Sequence, residues 1–192
     1  MRRLNDIAFS GDGEPTTFRN FDEIIQACAE VRQDVGATES KMVLITNASM
    51  FHRPHVQNGL EILDRNCGEI WAKLDAGTEE YFQIIDRTKF TLKHVMGNLV
   101  LAAKLRPIVI QSLWMRVDDE PPTIDELEAY SDRLNEIVSA GGEIKLVQIY
   151  TVARQPAESY VSPLTNDEVD FWVNEVRRRT RLNVAGFYGV ST

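Results

Sequence analysis

Histidine and cysteine are scarce in this chain of 192 residues, with three of the first and two of the second. Cys28 and Cys67 lie 39 positions apart, and neither belongs to a CxxC or similar pair. That spacing argues for a reducing cytoplasmic setting and against a local metal knuckle, and both read as buried thiols. Positive charge is in deficit: 21 Lys and Arg against 29 Asp and Glu leave a formal charge of -8. No broad positive field is therefore on offer to a phosphate backbone or an anionic membrane, which disfavours nucleic acid as a partner. Long apolar runs are also missing, since none approaches the roughly 18 residues that span a bilayer. The opening MRRLNDIAF has no hydrophobic stretch before Asn5 and Asp6. The chain reads as a soluble cytoplasmic protein with no membrane partner. No repeat, linker or low-complexity stretch divides it, so residues 1–192 are expected to form a single domain with a sizeable core.

What is present is an alternation. Short runs rich in apolar and β-branched residues, at 6–10, 41–47, 69–75, 107–115, 143–152 and 182–188, are separated by longer segments of helical spacing. That is the pattern of βα units around a parallel sheet, so the fold class is α/β. Phe21, Ile24, Ile25 and Cys28 repeat at helical spacing, as do Ile124, Leu127, Leu134, Ile137 and Val138. Thr123 before Asp125 and Glu126 is an N-cap with an acidic first turn, and Gly141-Gly142 ends that helix. The segment DDEPPT at 118–123 reads as a loop at a strand's carboxyl end. Arg177, Arg178, Arg179 and Arg181 stand at a helix end, where cations meet the favourable pole of the dipole.

The sharpest local feature is FSGDGEPTT at 9–17, a strand running into two glycines, a carboxylate and a proline. Glycines there admit a ligand close to the backbone or shape a tight turn. In parallel α/β folds ligands sit beyond the carboxyl ends of the strands, so Glu14 is placed to meet a cation such as an ammonium group. Phosphate cradles favour Lys or Ser/Thr after the glycines, and here Glu14-Pro15 follows. Alternation groups Lys73 and Asp75 with Trp71, Gln111 with Val109, and Gln148 and Tyr150 with Ile144 and Leu146. If those faces line one interior, a polar ring stands in an apolar cup, the usual make-up of a small-molecule site. His52 and His55, in HRPH, and His94 lack the partners a metal site needs. No serine sits in a GxSxG context, so no metal site and no nucleophilic serine is expected in this chain.

In order and at βα spacing, FSGDGEPT, LITNAS, WAKLDAG and LVQIYTVARQPAESYV resemble the radical S-adenosylmethionine (radical SAM) superfamily, in particular its Fe-S oxidoreductase-like branch. The resemblance covers nearly all of residues 6–189. It implies a partial (βα) barrel that binds S-adenosylmethionine at its carboxyl-end opening. The chain would be the carboxyl-terminal five-strand portion of that barrel, lacking the barrel's first strand and helix. Gly11, Gly13 and Glu14 match the family's glycine-rich segment that holds the methionine amino group, with Asp12 inserted. By the same likeness Asn47, Lys73, Asp75, Gln111 and Ser112 would face cofactor or substrate, and Gln148 would lie near the adenine. Trp114 and Arg116, with Met115 between them, are candidates for substrate contact, together with Tyr150 and Arg154. Arg154 is followed by Gln155-Pro156 where relatives commonly read RPP, which loosens its transfer.

The family's CxxxCxxC, whose thiolates hold a 4Fe-4S cluster, is absent, and Cys28 and Cys67 do not replace it. The expectation is that the cluster segment precedes Met1 in a complete enzyme. There, S-adenosylmethionine and the cluster would generate a 5′-deoxyadenosyl radical for hydrogen abstraction. The alternative is a non-catalytic, clusterless barrel that binds or interacts. The substrate expected is a small molecule or a peptide, and the uncovered edge of the first strand present predicts a homodimer or a covering partner.

Overall fold

The apolar runs fold as strands in a computed structural model that describes residues 4–189. The strands are β1 (Asp6–Phe9), β2 (Lys41–Thr46), β3 (Gly68–Lys73), β4 (Ile108–Leu113), β5 (Met115–Val117), β6 (Ile144–Tyr150), β7 (Val161–Pro163) and β8 (Val184–Phe187). The helices are α1 (Phe21–Asp34), α2 (Pro54–Asp64), α3 (Glu79–Asp86), α4 (Leu92–Leu105), α5 (Ile124–Ser139) and α6 (Asn166–Thr180). Six strands make one sheet in the order β1-β2-β3-β4-β6-β8. Every neighbouring pair is parallel. The sequence implied five strands and a short final run; that run is a full sixth member, with Val147 to Tyr150 paired against Val184 to Phe187.

Because the strand order never reverses, right-handed crossovers place the helices on one face of the sheet. Burial agrees. Met42, Leu44, Ile70, Ala72, Ile108, Ile110, Val147 and Ile149 pack with Ile25, Leu60, Leu99, Leu134 and Val169 from the helices in one core. Their alternates Ile45, Trp71, Lys73, Gln111, Leu146 and Tyr150 keep partial exposure on the other face. A register shift between Ile108 and Val109 pairs Ile108 with Ile144 and Val109 with Leu146. Ile144 therefore joins the helix face, while strict alternation had grouped it with Gln148.

Threonines start the helices that follow the strand ends. Thr78, Thr91, Thr123 and Thr165 each accept a backbone N–H from the first turn of α3, α4, α5 and α6. Gly141, at φ +88°, takes the left-handed position after α5. Arg177, Arg178 and Arg179 occupy the last turn of α6, and Arg181 is its left-handed cap. Two features were not expected. Residues 107–115 are not one strand, because β4 stops at Leu113 and β5 pairs antiparallel with β7 in a separate ribbon. The thiols are also less hidden than their residue type suggests, with Cys28 half-buried and Cys67 exposed.

The amino-terminal end of the inner face is pinned by Glu69, whose Oε1 accepts from Lys41 Nζ at 2.8 Å and Lys145 Nζ at 2.6 Å. Although burial opposes its charge, the two lysines and the Trp71 indole hold its carboxyl down at about 2. No helix among the described residues is long and apolar enough to cross a membrane.

Candidate functional site

The glycine-rich turn leaves β1 and folds over the end of β2, and Glu14 ties the two together. Its Oε1 accepts from Thr16 N at 3.1 Å, Thr16 Oγ1 at 2.6 Å and Thr46 Oγ1 at 2.6 Å. Its Oε2 accepts from Asn47 N at 2.7 Å. A carboxylate oxygen offers about two lone-pair sites, so Oε2 retains one acceptor position. Around this hub lies a cavity of about 210 Å³ lined by Ser10, Gly11, Asp12, Gly13, Asn47 and Lys73. Two carboxylates and one ammonium around so small a space complement an α-amino acid zwitterion.

Neither Gly11 nor Gly13 has a positive φ. A Cβ built on either meets nothing within 4 Å. Packing and conformation therefore do not require glycine at either position, and what the glycines keep open is space over the cavity. Gly13→Ala is expected to leave stability within about 0.5 kcal/mol of wild type. The same change should weaken binding of an amino acid ligand several-fold, as read by calorimetric titration beside thermal unfolding.

The inner face brings the polar ring together. Lys73 is in register with Gln111, and Gln111 with Gln148. Gln111 Nε2 donates to Gln148 Oε1 at 2.9 Å. Asp75, just past β3 and 5% exposed, accepts from Leu113 N at 2.6 Å. Burial raises its carboxyl to about 6, against the pull of the Leu113 N–H and the Lys73 ammonium. Tyr150 ends β6, and burial with the nearby Asp75 and Asp86 charges pushes its phenol up, so it stays neutral.

Ser112, Trp114, Arg116 and Arg154 stand apart from that ring. Ser112 alternates with Gln111 and so faces the helices, its Oγ 2.6 Å from the Tyr130 hydroxyl in the core. Trp114 is fully buried, stacked on Trp172 at 4.4 Å and edge-on to Tyr130 at 5.0 Å. Arg116 ties β5 to α6 through Glu168. Arg154 is exposed on the loop after β6. His55 lies in the first turn of α2, behind Pro54, and His52 packs against His94 with ring centroids 5.1 Å apart. No group of three or more His, Cys, Asp or Glu able to hold a metal gathers among the described residues.

Sequence reasoning missed two carboxylates. Glu126, 5% exposed on α5, accepts from Gly77 N at 2.5 Å and Thr78 Oγ1 at 2.6 Å, stitching the loop after β3 as Glu14 stitches the loop after β1. Asp86, the last residue of α3, has a buried Oδ2 without a partner. Burial and the Asp75 charge raise its carboxyl from 3.8 to about 7, with Lys73 opposing. A raised acid favours the folded state while protonated. That contribution is full below about pH 4 and is lost as pH rises through about 7. Asp86→Asn should therefore gain on wild type as pH rises, its advantage in urea unfolding growing by about 2 kcal/mol between pH 5 and pH 8.

No family model matches the chain, and no curated protein matches it by sequence. Among solved structures it is similar to the crystal structure of a radical SAM methyltransferase from Sphaerobacter thermophilus, with a TM-score of 0.68 and 12% identity. The match covers 99% of this chain and 52% of that one, so the chain spans about half the length of that protein. The likeness is one of fold, and it agrees with the mostly parallel sheet and one-sided helices described above.

Proposed function

We propose that this chain is the S-adenosylmethionine-binding portion of a radical SAM-type enzyme, folded as a partial (βα) barrel. The observation that carries the reading is the Glu14 cavity. An acceptor position on Glu14 Oε2, Lys73 in the lining of the same cavity and open space over Gly11 and Gly13 suit the ammonium and carboxylate of the methionine end. Asp75, Gln111 and Gln148 follow along the strand ends toward the remainder of the cofactor. In that family S-adenosylmethionine supplies a 5′-deoxyadenosyl radical for hydrogen abstraction from the substrate. A 4Fe-4S cluster does not fit the described residues, since their two thiols sit on α1 and in the turn before β3 rather than together. Its ligands would come from the rest of a longer, complete enzyme. The placement of those thiols also favours a second reading, a clusterless barrel that binds without radical chemistry. The expected setting is the cytoplasm and the substrate a small molecule or peptide.

The test is a binding comparison between S-adenosylmethionine and 5′-methylthioadenosine, which lacks the amino acid part. S-adenosylmethionine is expected to saturate one site, with methylthioadenosine at least about tenfold weaker, a difference of about 1.4 kcal/mol. Equal binding of both would remove the amino acid recognition on which the reading stands.

A further inference from the structure

Behind the Glu14 cavity lies a smaller, more enclosed one of about 50 Å³, walled by Asn47, Ser49, Lys73, Phe82, Asp86 and Phe90. Asn47 and Lys73 line both cavities and form the partition between them. Two buried polar atoms among these residues lack hydrogen-bond partners, Ser49 Oγ and Asp86 Oδ2, and Ser49 is only 2% exposed. Buried polar groups are nearly always satisfied, so two orphans in one cavity mark a place for a ligand that hydrogen-bonds.

Charge selects the kind of ligand. Asp86 ends α3, where the helix dipole is negative and a carboxylate is unfavourable. Asp86 and Lys73 are the charged residues lining the cavity, the Asp75 charge beyond them adds to that of Asp86, and Lys89 stands outside with its Nζ 5.9 Å from the Phe90 ring centroid. The neighbouring phenols do not change this balance. Burial and the acidic neighbours hold both Tyr81 and Tyr150 neutral. Phe82 and Phe90 complete the walls; the Phe90 ring already holds His94 stacked at 5.1 Å and Lys89 Nζ at 5.9 Å, so the pull on a cation falls to the Asp86 carboxylate and the Ser49 hydroxyl. The volume suits a group near the size of one water, whose share of liquid volume is about 30 Å³.

We propose that this cavity takes the primary ammonium end of the substrate, with Asp86 Oδ2 and Ser49 Oγ as its hydrogen-bond partners. The inference rests on the reading of the strand ends as the reactive site and names the substrate class for it, a primary amine. With Lys73 turned to the carboxylate of a ligand in the Glu14 cavity, Asp86 would be left to the incoming amine. Its charge would in turn lower the Asp86 carboxyl from about 7 and favour the ionised form.

The experiment is an NMR titration of the full chain with n-propylammonium in sodium chloride at constant ionic strength, followed at the amides of Ser49, Asp86 and Thr88. A ligand of four heavy atoms should bind in the millimolar range. The expected result is saturable shifts at those amides, weakened at least about tenfold in Asp86→Asn and several-fold in Ser49→Ala. Asp86→Asn is expected to be at least as stable as wild type, so loss of binding there does not reflect unfolding. Shifts of equal size with n-propanol, displacement by potassium at equal concentration, or no effect of Asp86→Asn would each overturn the proposal. Because S-adenosylmethionine is absent from this titration, its result stands apart from the test of the Glu14 cavity.

Discussion

Glu14→Gln should weaken S-adenosylmethionine binding at least about 30-fold and lower the unfolding free energy by about 2 kcal/mol. The reason lies in the four donors that converge on this carboxylate: Thr16 N, Thr16 Oγ1, Thr46 Oγ1 and Asn47 N. An amide replaces one oxygen with a donor group, and neither orientation escapes the consequence. Turned toward Thr16, its NH2 faces the Thr16 N–H, which cannot reverse, and Thr46 Oγ1, which already accepts from Ala48 N at 3.0 Å. Turned toward Asn47, it faces that backbone N–H and removes the acceptor position offered to an ammonium group. The second orientation loses less structure and more binding. Calorimetric titration and urea unfolding of the same sample separate the two losses, and unchanged binding with reduced stability would make Glu14 a purely structural carboxylate.

Gly77→Ala should destabilise the chain by about 4 kcal/mol or more, enough to leave little folded protein at 37 °C. A Cβ at Gly77 would lie 2.0 Å from Tyr130 N and 2.5 Å from the Ala129 carbonyl carbon, both backbone of α5. Backbone inside a helix cannot yield as a side chain can, so α5 must move off the end of β3. That movement would break the Glu126 bonds to Gly77 and Thr78 and disturb the Ser112–Tyr130 and Trp114–Tyr130 contacts. Gly97→Ala on α4 is the control. A Cβ there meets nothing within 4 Å, and the change should be neutral or stabilising by up to about 1 kcal/mol. Urea unfolding of the pair checks both, and a Gly77→Ala chain as stable as wild type would show that α5 sits elsewhere.

The sheet was legible because parallel strands buried on the helix side must be apolar and β-branched, and six such runs became its six strands. Alternation also delivered Lys73, Gln111, Gln148 and Tyr150 to one face, since a period of two survives errors at strand ends. It failed where the period itself breaks. The shift at Ile108 and Val109 moved Ile144 across the sheet, and strand β5 has three residues, too few to show a pattern. The resemblance puts Ser112 with Gln111 at the site, but adjacent strand residues face opposite sides and Ser112 turns to the Tyr130 hydroxyl in the core. Trp114 is a substrate-contact candidate by its strand-end position, but Trp172 and Tyr130 arrive from distant segments to enclose it. Asp86 and Ser49 carry no local motif, and Glu126 reaches Gly77 across 49 positions, so their roles exist only once the chain has folded. Glu14 was legible in kind, a carboxylate at a strand end, whereas its four intramolecular donors were not.

The measurement that tests the central claim most directly is an amide NMR map of the 15N-labelled chain titrated with S-adenosylmethionine. Saturable shifts confined to Ser10 through Glu14, Asn47 and Lys73, abolished in Glu14→Gln, are the result expected. Shifts located instead in the groove of about 760 Å³ lined by Gly77, Leu92, Met96 and Arg133, or none at millimolar ligand, would contradict it.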